Sequence, residues 1–210
     1  MIRRAVLIAL IGLLAVPVAA QAPKDWRVRI DHSQNAQDPD DTPDLKFVTM
    51  GKGFHVTGGP AGTFWNPVHA ATGSYTARAT FTLTKPSPHV NYYGLVFGGS
   101  GLEGAAQNYI YFLVAQDGTY IVRHRAGEAV HDVRTYTPHD AVRRPGADGR
   151  STNTVELRVS GSTISYVVNG TVVHTTPKTG MTVKTDGIVG IRVNHLLDVH
   201  IEGFDVQKLG

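Results

Sequence analysis

The chain has 210 residues, no cysteine, 18% charged residues and a formal net charge of +3. Its length suits one well-cored domain, and the lack of cysteine excludes a disulfide-stapled scaffold. No lysine-rich run is present, so the sequence lacks the electrostatic footprint of a nucleic-acid or anionic-membrane binder.

The first 22 residues read as a secretory signal peptide. Arg3 and Arg4 form a basic start, Ala5 to Val16 is an unbroken apolar run, Pro17 interrupts it, and Ala20-Gln21-Ala22 is a small-x-small cleavage site. The run is too short to span a bilayer and has no polar face for a surface helix. Residues 23–210 then form the expected single domain, not inserted in a membrane after cleavage. Two of the chain's twenty basic residues leave with the peptide, so the remainder is close to neutral. Export without disulfides fits a bacterial periplasmic or secreted location.

Trp26 to Ile30 predicts a short strand with Trp26, Val28 and Ile30 on one face. Asp31 to Asp44 follows as a loop broken by Pro39 and Pro43. Its Asp38, Asp40, Asp41 and Asp44 are candidate oxygen ligands for Ca²⁺, although their spacing is not that of an EF-hand, and a solvated acidic loop is the simpler alternative. Leu45 to Val56 predicts a strand pair turning at Gly51-Lys52-Gly53. Thr63-Phe64-Trp65 starts another strand, expected to stop at Asn66-Pro67. In Ser74 to Thr84, Tyr75, Ala77, Ala79, Phe81 and Leu83 alternate with polar residues, the pattern of a half-buried antiparallel strand.

The most apolar stretch, Tyr92 to Arg125, reads as three strands divided by a Gly-rich loop and a tight turn. A three-residue turn at Gln116-Asp117-Gly118, with glycine in the left-handed position, sets the register of the second hairpin. It places Ile110, Phe112 and Val114 with Tyr120, Val122 and His124 on one face. Tyr111 and Leu113 join Ile121 and Arg123 on the other. A register one residue away would mix arginines into the apolar face, so it is disfavoured.

A weaker strand follows over Val130 to Tyr136, then a polar segment containing Arg143-Arg144-Pro145. Val155, Leu157 and Val159, a Ser160-Gly161-Ser162 turn, then Ile164, Tyr166 and Val168 make a clear hairpin. Asn169-Gly170 turns the chain again as a type I′ pair, which accounts for the Asn-Gly-Thr triplet better than a glycosylation site does. Gly187 to Val193 and Leu197 to Val206 close the chain. The expected fold class is all-β, a two-sheet antiparallel jelly-roll sandwich.

The C-terminal third is similar to the closing segments of concanavalin A-like (laminin-G-like) jelly rolls. It most resembles the bacterial 3-keto-disaccharide hydrolase domain family, through Asn153, Asn169-Gly170, Gly187, Gly190 and His195. Asn91 to Gly99 resembles that family's N-x-G-apolar-Phe strand. The resemblance implies a jelly roll acting on or binding a glycoside, with His195 as a residue able to orient or protonate a keto-sugar oxygen.

The expected function is carbohydrate or glycoside binding on the non-core face that carries Tyr92, Tyr109, Tyr111, Arg123 and Arg125. Tyrosine rings stack on apolar sugar faces, and arginine donates in a rigid fork. Hydrolysis of a 3-keto-glycoside and a protein-interaction role in the cell envelope are the alternatives. A glycosidase needs two facing carboxylates, yet Glu103 stands alone in the Gly-rich loop. Asp198, His200 and Glu202 share one strand face, which fits metal or acid–base chemistry but equally an ordinary solvent-facing surface. No cofactor motif is present, and nothing in the sequence points to an oligomeric state.

Overall fold

Strand by strand, the alternation of apolar and polar residues becomes an alternation of buried and exposed side chains. The computed structural model describes residues 23–209; the expected signal peptide lies outside them. Fourteen strands run in chain order: β1 (Arg27–Asp31), β2 (Lys46–Met50), β3 (Gly53–Gly58), β4 (Ala61–Ala71), β5 (Tyr75–Lys85), β6 (Tyr92–Ser100), β7 (Asn108–Ala115), β8 (Thr119–Ala126), β9 (Ala129–Pro138), β10 (Ser151–Ser160), β11 (Thr163–Val168), β12 (Thr171–Pro177), β13 (Gly187–Val193) and β14 (Leu197–Lys208).

They form two seven-stranded antiparallel sheets. The first has the order β1-β4-β13-β6-β7-β8-β9 and the second β12-β11-β10-β5-β14-β3-β2. Between them lies the main core. It takes Tyr75, Ala77, Ala79, Phe81 and Leu83 from β5, Val155, Leu157 and Val159 from β10, and Ile164, Tyr166 and Val168 from β11. Each large side chain removed from water here contributes about 1.5–3 kcal/mol. The first sheet supplies Tyr93, Leu95, Phe97, Ile110, Phe112, Val114, Tyr120 and Val122.

The β7–β8 hairpin has the expected register: Phe112 faces Val122, Tyr111 faces Arg123 and Tyr109 faces Arg125. Gly118 sits at φ +84°, and its N–H donates to the Ala115 carbonyl at 3.1 Å. Asn169 and Gly170 are both left-handed, at φ +51° and +83°, as a type I′ turn requires.

Two strands depart from expectation. β4 does not stop at Pro67 but runs on to Ala71. It does so by bulging: Trp65 pairs with Gly190 and Ala70 with Ile188, leaving Asn66 to His69 opposite a single β13 residue. A proline without an N–H is tolerated there because the bulged residues lie off the ladder. In β1, Val28 and Ile30 stay 43% and 39% exposed, since β1 is an edge strand. Its other face is the polar one, with Arg27, Arg29 and Asp31. Trp26, just before it, does join the core, packing against Phe47, Phe54 and Phe204.

The first sheet is strongly curved. β1 and β8 are five strand positions apart, which in a flat sheet means about 24 Å. Yet Arg125 of β8 lies 3.6 Å from Asp31 of β1. The sheet therefore curls until side chains from its two sides meet across its outer face, making that face a groove.

Candidate functional site

A second apolar layer lines the groove floor: Trp65, Tyr92, Val96, Leu102, Tyr109, Tyr111, Leu113, Ala115 and Ile121. The three tyrosines expected to offer open rings are instead nearly sealed, with Tyr92 at 4%, Tyr109 at 0% and Tyr111 at 5% exposure. This corrects the expectation of an open stacking platform. The register brought the tyrosines to the predicted face, but the curl of the sheet then buried them. A flat sheet would have left them exposed.

Above this floor runs a polar network centred on Arg192 of β13. Its Nη1 donates to Asp31 at 2.7 Å, Thr63 at 2.9 Å and the Tyr109 hydroxyl at 3.1 Å. Its Nε donates to Asn194 at 3.1 Å, and its guanidinium lies 5.6 Å from the centre of the Tyr111 ring, in cation–π range. Burial alone would lower the pKa of Arg192, but Tyr109, Asp31 and Tyr111 outweigh it and hold it above its ordinary value. For Asp31, burial pushes the carboxyl up, while Arg192, Arg125 and Arg29 pull harder and leave it lowered.

At one end the groove is bridged by the β6–β7 loop. Glu103 is ion-paired with Arg27, and Arg29 donates to the Gly104 carbonyl at 3.0 Å. Beside this bridge a pocket of about 680 Å³ is lined by Arg27, Trp65, Pro67, Leu102, Glu103 and Ile188, among others.

The other end opens into a pocket of about 440 Å³ lined by Val90, Asn91, Tyr92, Asp117, Arg123, Tyr136 and Asn194. Here an aromatic ring is accessible: Tyr136 is 60% exposed. Arg123 reaches over it, 5.2 Å from the ring centre, and is fixed by Asp132 at 2.5 Å and the Tyr136 hydroxyl at 3.1 Å. Tyr92 closes the pocket floor. Its hydroxyl pairs with Thr119 at 2.6 Å, and burial pushes its pKa up to about 12, so it remains a neutral donor at physiological pH.

Of the five expected binding residues, then, Tyr92 and Arg123 line this pocket, Tyr109 and Tyr111 support Arg192, and Arg125 joins Asp31. Sequence reasoning missed Asp31, Tyr136, Arg192 and Asn194. Arg192 had one available signal: in Gly187 to Val193 it is the only charged residue.

The expected catalytic candidates do not meet. Glu103 follows β6, whereas His195 follows β13, where Asn194 N–H bonds the carbonyl of Tyr92 at the start of β6. The length of β6 separates them, roughly 25 Å at the usual strand rise. His195 is half-buried with its Nδ1 unpartnered among the described residues. The acidic loop does not converge either. Asp38 accepts from the Asp40 N–H at 3.0 Å, Asp40 pairs with His89 at 3.0 Å, and Asp41 accepts from the Ser33 N–H at 2.8 Å. Asp38, Asp40 and Asp41 thus each turn to a different partner. On the back of the second sheet, Asp198 pairs with His55 at 3.0 Å, and His200 with Glu202 at 3.7 Å. Among the described residues, no group of three His, Asp or Glu side chains is placed to hold a metal ion.

No family model matches the chain, and no curated protein does. Solved structures do. The carbohydrate binding module CBM66 from Bacillus subtilis superposes with a TM-score of 0.63 at 10% identity, over 90% of this chain and 98% of that one. A protein of unknown function with a galectin-like fold, also from Bacillus subtilis, gives 0.55 at 15% identity, over 88% and 90%. Alginate lyase A1-II′ gives 0.51 at 12%, over 78% and 83%. At these identities the likeness is one of fold. It establishes that the chain is a concanavalin A-like jelly-roll sandwich.

Proposed function

We propose that the chain is an exported, non-catalytic carbohydrate-binding domain, and that its groove end at Tyr92, Arg123, Tyr136 and Asn194 holds the sugar. The observation that carries this reading is the 440 Å³ pocket, which combines one exposed aromatic ring with an arginine whose fork is already fixed in place. An exposed Tyr136 offers a face to the C–H side of a pyranose. Arg123, Asn91, Asn194 and Asp117 surround it with donors and acceptors for hydroxyls. The sandwich that frames it is shared with a carbohydrate binding module, which supports the reading by analogy of fold. Export rests on the apolar run and cleavage pattern of residues 1–22; among the described residues, no helix is long and apolar enough to cross a membrane.

Hydrolysis gains no support from the groove. Glu103 is ion-paired with Arg27 and Asp31 with Arg192, so both carboxylates at that end of the groove are already engaged by arginines, whereas a glycosidase needs one of its pair free to act as acid.

A glycan array probed with the purified chain tests the proposal. Binding to at least one saccharide class is expected, weakened ten-fold or more by Tyr136→Ala and by Arg123→Ala. No binding to any glycan, or binding unaffected by both substitutions, contradicts it.

A further inference from the structure

The groove has a charge imbalance. Three guanidiniums share the single carboxylate of Asp31: Arg192 at 2.7 Å, Arg29 at 3.1 Å and Arg125 at 3.6 Å. Among the described residues, no other carboxylate lies within 4 Å of any of the three. Their side chains are only 8%, 25% and 16% exposed, and that of Asp31 13%. Elsewhere along the groove the charges are matched one to one, Arg27 with Glu103 and Arg123 with Asp132. Asp117, at the open pocket, is turned to the Thr119 N–H and hydroxyl at 3.0 and 2.7 Å. The surplus of two positive charges is therefore localised around Asp31.

A poorly hydrated cation without a counter-charge is costly. Water compensates such a group less well here than at an open surface, and a second anion would compensate it directly. Guanidinium forks match a carboxylate or sulfate with two parallel hydrogen bonds. Arg192 connects this cluster to the open pocket through Asn194, which accepts from its Nε and itself lines the pocket.

Resting on the carbohydrate-binding reading above, we propose that the preferred ligand is an anionic saccharide, whose acidic group is taken by Arg192 and Arg125 while a neighbouring ring lies against Tyr136. The anion supplies the counter-charge that Asp31 alone does not. The ring supplies the apolar contact. Arg192 and Arg125 set the preference, and Tyr136 and Arg123 provide the contact common to all saccharides.

Titration calorimetry with the purified chain separates the possibilities. The probes are a polyuronate oligosaccharide, its carboxyl-reduced form of equal length, and a sulfated oligosaccharide. The polyuronate is expected to bind at least ten-fold more tightly than its reduced form. That advantage is expected to shrink several-fold between 50 and 500 mM NaCl, as screening requires. Arg125→Gln is expected to erase most of the polyuronate's advantage over its reduced form. Should Arg192→Gln fail to fold, Arg125→Gln carries the test alone, with its melting curve as the control. A sulfated ligand outranking the polyuronate would identify sulfate as the anion and sustain the inference. Equal affinity for charged and reduced forms would overturn it and leave carbohydrate binding standing. Failure of all three probes, together with an empty glycan array, would remove both.

Discussion

Asp31 on β1 lies 3.6 Å from Arg125 on β8, although five strand spacings separate these strands within their sheet. This contact records the curl that turns the outer face of the first sheet into a groove. Asp31→Asn removes the only carboxylate among three guanidiniums, so it is expected to destabilise the fold by about 3 kcal/mol. Urea unfolding at pH 7 measures this. A loss under about 0.5 kcal/mol would mean that the network does not hold the curl.

The same carboxylate sets an acid limit. Its folded pKa lies below the ordinary 3.8, so Asp31 binds its proton more readily in the unfolded chain. Its contribution is fully present above pH 3.8 and is lost as pH falls through the folded value. Stability plotted against pH should drop in that acid window in the native chain, and the drop should be shallower in Asp31→Asn. Identical acid limbs would contradict the assignment.

A second buried network ties the two asparagines singled out by the sequence. Asn153, fully buried, accepts from the Arg143 N–H at 2.8 Å and from Asn169 Nδ2 at 2.8 Å, and donates to the Arg143 carbonyl at 3.0 Å. Asn169 also accepts from the Thr154 N–H at 2.9 Å. Asn153→Ala strands these partners and is expected to cost about 2 kcal/mol. The measurement is a shift in denaturation midpoint at unchanged slope. Sugar binding should persist in whatever fraction remains folded.

Much of the sandwich was legible because its strands are half-buried and alternate with period two. The β5, β10 and β11 patterns convert directly into buried faces, and the Gln116-Asp117-Gly118 turn together with the segregation of arginines selected the β7–β8 register. The groove was less legible. Asp31 and Arg192 are 161 residues apart, and neither has a local pattern that predicts the other. Tyr109 and Tyr111 were placed on the correct face, but their burial depends on sheet curvature, which emerges from all seven strands together. Tyr136 went unnoticed because β9 is an exposed edge strand with little apolar alternation. Pro67 misled as a breaker, since a bulge leaves it off the ladder.

Histidines add a milder pH dependence. His69, His124 and His174 all have lowered pKa values, each chiefly through desolvation. The unfolded chain therefore takes up these protons first, near the ordinary 6.5. Stability should decline as pH falls below about 6.5 and level off below the folded values. His174, stacked on Tyr166 at 5.7 Å, offers the simplest check: His174→Gln should flatten part of the decline. A native chain equally stable at pH 7 and pH 5 would contradict this.

At the open pocket, Tyr136→Ala removes an exposed ring from an edge strand. Thermal stability should change by no more than about 2 °C, consistent with a loss of a few tenths of a kcal/mol at the surface. Saccharide affinity should nevertheless fall about ten-fold. A large melting shift would indicate that Tyr136 serves the fold rather than the ligand.

Whether a saccharide binds in this groove can be read from amide chemical-shift mapping during titration of the purified chain with an oligosaccharide. The predicted result is saturable shifts concentrated at Asn91, Tyr92, Arg123, Tyr136, Arg192 and Asn194. Shifts confined to the opposite face around His55 and His200, or none with any saccharide, would contradict it.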